Sequence, residues 1–96
     1  MSKAASKGVV KSLAVDLGSE GISVNLVSPG PIDNPMTAAN LSDAEAKRII
    51  SETPLGRFVT ADEVAKIISL LAEGQLTGFT GHEFVLDGGW TGSKLV

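Results

Sequence analysis

Residues 22–31 read Ile22-Ser23-Val24-Asn25-Leu26-Val27-Ser28-Pro29-Gly30-Pro31. Ile22, Val24 and Leu26 point one way in an extended chain; Ser23, Asn25 and Val27 point the other. Both sets are mostly small or apolar, as in a strand covered on two faces. The pattern predicts a strand over 22–28 that Pro29-Gly30-Pro31 stops. Before it, Val10, Leu13, Ala14 and Leu17 recur at helical spacing, with Ala5, Val9 and Ser12 widening the buried side. This predicts a helix over 2–18, punctuated by Gly18 and Gly21.

Three of the four prolines fall within 29–40, which reads as a structured loop. Ser42-Asp43-Ala44-Glu45 is a capping box opening a short helix through about residue 51. Thr60-Ala61-Asp62-Glu63 is a second capping box and opens a helix over 60–73. Val59 and Val64 are spaced as a hydrophobic staple, and Val64, Ile67, Ile68 and Leu71 form its apolar stripe. Residues 82–87 read as a second strand, closed by Asp87-Gly88-Gly89. The order is helix, strand, two helices, strand. Two strands joined through helices imply a parallel pair and an α/β fold.

The chain has 96 residues, so it forms one domain over 1–96 with a thin core. Its 43% hydrophobic content is that of a folding chain. Eight basic residues against eleven acidic ones, with no basic block, argue against nucleic acid as a partner. The apolar runs are too short to span a bilayer, which argues against a membrane protein. There is no Cys, which removes disulfides and Cys-based metal sites and suits a cytoplasmic protein. No metal site is expected. His82, the one histidine, reads as a packed or exposed strand residue rather than a ligand. Trp90 reads as packing against a helix or a neighbouring subunit.

Four segments together carry a resemblance. They are Ser2-Lys3-Ala4-Ala5 leading into Leu13-Ala14-Val15-Asp16-Leu17; Val24-Asn25-Leu26-Val27-Ser28-Pro29-Gly30-Pro31-Ile32; Pro54-Leu55-Gly56-Arg57 leading into Glu63-Val64-Ala65; and Thr77-Gly78 followed by Val85-Leu86-Asp87-Gly88-Gly89. In this order and spacing the chain resembles the C-terminal portion of the short-chain dehydrogenase/reductase family. The resemblance implies the last part of a Rossmann-like doubly wound parallel sheet, without the N-terminal dinucleotide-binding half. Lys3 matches the lysine of the family's Tyr-x-x-Ser-Lys motif, so the sequence looks like one that begins inside that motif. In the family this lysine hydrogen-bonds the nicotinamide ribose and lowers the pKa of the tyrosine phenol. The competing reading is a solvated lysine in the first turn of a frayed helix, and it is favoured for the chain taken alone.

The same resemblance makes Pro29, Gly30 and Ile32 candidates for contact with the nicotinamide end of a cofactor, and Asn34 a candidate for contact near its phosphates. Backbone groups near Ile32 would hold the carboxamide, and Gly30 would let the backbone approach a flat ligand. Asn34 stands where the family places Thr. The alternative for this stretch is a simple strand-ending turn. Residues 29–52 correspond to the family's variable substrate-covering segment, and Arg57 reads as structural. The implied cofactor is NAD or NADP, with none bound by this chain alone as the other possibility. The chain contains no Tyr and no glycine cluster that follows a strand and opens a helix, the usual pyrophosphate cradle.

Three functions compete on this reading. One is a truncated or degenerate oxidoreductase without catalysis of its own. The second is an interaction module that forms homo-oligomers or joins a full-length homologue. The third is an oxidoreductase whose site is rebuilt by oligomerisation. Self-association is expected in each, because two strands and a bared helix face need cover.

Overall fold

The computed structural model describes residues 2–74 and 76–93. Its elements are α1 (Lys3–Leu17), a 3-10 turn (Gly18–Glu20), β1 (Leu26–Pro29), α2 (Pro35–Asn40), α3 (Asp43–Glu52), α4 (Ala61–Ala72), β2 (Glu83–Leu86) and α5 (Trp90–Ser93). β1 and β2 form a two-stranded parallel sheet, with Leu26 opposite Glu83 and Pro29 opposite Leu86. Both α1 and α4 pack against β1. The α/β class and the parallel pairing are as the sequence predicts.

Side chains set the helix ends. The Ser2 hydroxyl accepts a hydrogen bond from the Ala5 amide and starts α1. Ser42–Glu45 and Thr60–Glu63 both close as reciprocal capping boxes on α3 and α4. After the 3-10 turn, Gly21 adopts φ 76° and turns the chain toward β1.

The first strand is shorter and later than predicted. Residues 22–25 lie outside the ladder, although they remain tied to the approach to β2. The Gly81 amide donates to the Val24 carbonyl at 2.8 Å, and the Val24 amide donates to the Thr80 hydroxyl at 3.2 Å. Asn25 clamps the same loop: its amide nitrogen donates to the Phe79 carbonyl, and its side-chain oxygen accepts from the His82 amide. Bonds to this loop, most of them through side chains, therefore replace ladder pairing there. At the other end the strand runs through Pro29. The Leu26 and Gly30 amides donate toward β2, so the Pro29 nitrogen, one residue away from Gly30, faces the other edge, where no donor is needed.

Residues 29–40 are not all loop. Asn34 caps α2, accepting from the Thr37 amide at 2.9 Å, with Pro35 in its first turn. The Asn-Pro pair is a legible helix start. α5 is a further short helix after the Asp-Gly-Gly turn. It begins at Trp90 and lies against α3. His82 packs its ring edge-on to Phe84 at 4.8 Å and tilted to Phe79 at 5.8 Å, an aromatic cluster rather than a ligand arrangement.

Candidate functional site

Lys3 lies in the first turn of α1, and its side chain is 59% exposed. Its ammonium is 3.9 Å from Glu83 Oε2. Lys7, one helical turn on, is 3.2 Å from Glu83 Oε1. The Ser28 hydroxyl donates to Oε2 at 2.8 Å. Ser28 and then Lys7 hold the Glu83 carboxyl below the ordinary carboxylate range, against the opposing effect of burial.

The second group of candidates sits at the other end of the sheet. Pro29 forms the last β1 pair, with Leu86, and Gly30 follows it; three residue steps along β2, roughly 10 Å, separate that pair from Glu83. Among the described residues no hydrogen bond or ion pair joins Lys3 to 29–34. The structure thus keeps Pro29, Gly30, Ile32 and Asn34 together and ties Lys3 to β2.

The loop is anchored on both sides. The Gly30 amide donates to the Leu86 carbonyl at 2.8 Å, and the Asp33 amide donates to the Val59 carbonyl at 2.8 Å. Ile32 forms a parallel bridge with Val59. That bridge engages the neighbouring Asp33 amide, and the N–H and C=O of Ile32 itself enter no backbone hydrogen bond among the described residues. A carboxamide needs one acceptor and one donor, so Ile32 fits the nicotinamide end of the implied cofactor. The Asn34 side-chain oxygen is committed to the α2 cap, which leaves its side-chain NH2 as the donor it could offer a ligand.

Gly30 makes a close approach within the chain. A Cβ there would lie 2.8 Å from Asp87 Cβ and 3.2 Å from Asp87 Cα. The glycine admits the Asp87 turn, and its need is met within the chain. Gly88 and Gly89 make equally close approaches, to Thr53 and Pro54. The Leu55 amide also donates to the Gly88 carbonyl at 3.1 Å. The Asp87 carboxylate accepts from the Gly89 and Thr91 amides at 2.9 and 2.8 Å. Burial raises its pKa, and these bonds more than offset the rise. The Pro-Gly-Pro, Pro-Leu-Gly and Asp-Gly-Gly motifs are therefore one interlocked unit. Sequence reading missed Glu83, Ser28 and Thr53 because their partners are distant in the chain. The one local hint was an acidic residue inside a short apolar strand.

Arg57 is structural, as read. Its guanidinium grips Glu63 with two bonds of 2.8 and 3.0 Å and donates to the Phe58 carbonyl at 3.1 Å. The Arg57 bonds first, and the Thr60 amide second, hold the Glu63 carboxyl down at about 2, against an ordinary value of 4.5. The folded value is the lower one. The stabilisation is therefore present above about 4.5 and is lost as pH falls toward about 2. Arg57→Met is expected to lower the melting temperature near neutral pH, and the difference from wild type should shrink across this acidic window. Thermal scans over pH check it; a difference constant with pH would contradict the assignment.

The sequence profile of the family described as enoyl-(acyl carrier protein) reductase matches residues 1–91. A 3-oxoacyl-(acyl-carrier-protein) reductase of Pseudomonas aeruginosa is 38% identical over 87 residues, covering 91% of this chain and 35% of that protein. A Serratia marcescens short-chain dehydrogenase/reductase mutant superposes with TM-score 0.82 at 34% identity, covering 93% of this chain and 36% of that one. YwfH, an NADPH-dependent reductase involved in bacilysin biosynthesis, superposes at 0.81 with 26% identity, covering 91% of this chain and 37% of that one. The chain spans about a third of the length of the curated relatives it matches. Among the described residues no helix is long and apolar enough to cross a membrane, and no group of residues suits a metal ion.

Proposed function

The chain belongs to the short-chain dehydrogenase/reductase family, and from that premise we propose that it supplies the lysine-bearing, nicotinamide-side section of an NAD(P)-dependent oxidoreductase site. In this reading the 96 residues by themselves do not transfer hydride. Lys3 would meet the nicotinamide ribose, and the Ile32 backbone would meet the carboxamide. The dinucleotide, when bound, supplies the hydride. A cytoplasmic setting suits a chain without Cys. The cofactor of YwfH favours NADPH among the two dinucleotides.

The observation that carries this reading is the uncommitted donor and acceptor of Ile32 on a loop fixed by Leu86 and Val59. The reading withholds catalysis because proton transfer to substrate needs a phenol or an equivalent acid, and the chain has no Tyr. A further part of the proposal is that the chain works as an assembly, with copies of itself or with a full-length relative. Calorimetric titration with NAD(H) and NADP(H), with a turnover assay alongside, is the test. Weak or absent binding and no turnover are expected of the 96 residues. A micromolar dissociation constant lost in Lys3→Ala would overturn this and favour a site rebuilt by assembly.

A further inference from the structure

The first two turns of α1 are held differently from the rest of the helix. Ala14 is buried and Leu17 half-buried, while residues 2–5 and 7–9 are all exposed. A cleft of about 270 Å³ opens between α1 and the sheet, lined by Lys7, Val10, Lys11, Leu26, His82 and Glu83. Apolar packing therefore fixes the C-terminal part of the helix and leaves the Lys3 turn without a core contact. Glu83 spans the gap. Its side chain is 16% exposed, and its two oxygens are shared among Ser28, Lys7 and Lys3. Ser28 lies on β1 and Glu83 on β2, so the carboxylate is fixed to both strands before it meets the helix.

We infer that Glu83 is a positioning residue, docking the first two turns of α1 on the sheet and holding the Lys3 ammonium at one place. The inference rests on the proposed role of Lys3, since positioning matters only if that ammonium meets a ribose. Lys7 is the stronger ligand of the carboxylate and Lys3 the looser one. Lys3 is thus steered by an anion from which it can be withdrawn.

Glu83→Gln keeps an oxygen for Ser28 and removes the charge. Two readouts follow. Amide hydrogen exchange at Lys7–Val10, whose bonds close the first turns, is expected to rise by about three- to tenfold, the range for loss of a charge-assisted tether. Exchange at Val15–Leu17 should stay within about twofold. Acetylation by a water-soluble ester, read by mass spectrometry, should speed up at Lys3 and Lys7 and remain unchanged at Lys11, Lys47 and Lys66. A merely structural loosening of α1 would also move Lys11. If Glu83→Gln does not fold, wild-type protein in high salt gives the same two readouts without a mutation. Uniform change along α1, or unchanged labelling of Lys3, overturns the inference. Dinucleotide titration is separate: if it finds no role for Lys3 while the labelling shifts, the docking stands and the proposed function fails.

Discussion

Gly88→Ala is expected to cost about 2–4 kcal/mol of stability, combining a left-handed backbone with overpacking. Gly88 adopts φ 65°, and a Cβ there would lie 2.8 Å from Thr53 Cγ2 and 3.5 Å from Leu55 Cβ. Thr53 has little room to yield. It is buried, and its hydroxyl donates to the Ile49 carbonyl at 2.6 Å. Gly74→Ala is the control: its φ is 74°, with nothing within 4 Å of the added Cβ. Only the backbone cost of about 1–2 kcal/mol is expected there. Urea unfolding of both variants separates the effects. Equal losses would mean that the Asp-Gly-Gly turn is not pressed against Thr53 and that the motifs are not interlocked as described.

Val9→Asp is expected to dissociate or unfold the assembly. The described residues bury three apolar side chains below one-tenth exposure, Ala14, Ile49 and Val59. The molecule extends 48 × 25 × 25 Å, a shape that leaves much apolar surface at the outside. Val9 is 47% exposed and Leu13, one turn away, 42% exposed. A core this small needs further burial to be stable. The proposed assembly supplies it if a second copy covers this stripe. In a single chain a half-exposed Asp at position 9 costs about 0.5 kcal/mol or less. Buried against a partner it costs on the order of several kcal/mol. Sedimentation at low micromolar concentration should show a dimer or larger species for wild type and a smaller mass for the variant. An unchanged mass in Val9→Asp would move the interface elsewhere, and a monodisperse wild-type monomer would end the proposal of assembly.

The elements that sequence periodicity and capping chemistry define were legible. α1, α3 and α4 start at Ser2, Ser42 and Thr60 because each side chain satisfies orphan amides within three residues. The same rule applies to Asn34-Pro35, and α2 was readable on that ground although the proline content of 29–40 pointed to loop. Strand limits were less legible. Alternation from Ile22 onward describes an extended chain, but a strand is a pairing, and the partner of residues 22–25 is a loop bonded through Asn25 and Thr80.

The candidate site divides in the same way. The resemblance located Lys3 and the Pro29–Asn34 stretch, and the structure kept the latter as an anchored loop with Ile32 uncommitted. What Gly30 accommodates, and what holds Lys3, depended on residues 57 and 80 positions away: Asp87 and Glu83. By itself the sequence determined α1, α3 and α4, the parallel α/β class and the family, because these rest on local hydrogen bonding, periodicity and ordered motifs. Only the tertiary structure decided that the three glycine-bearing motifs lock against one another and that a strand carboxylate faces the lysine. Close approach of backbones and the meeting of charges are set by strand register and helix docking, which join residues that no local pattern connects.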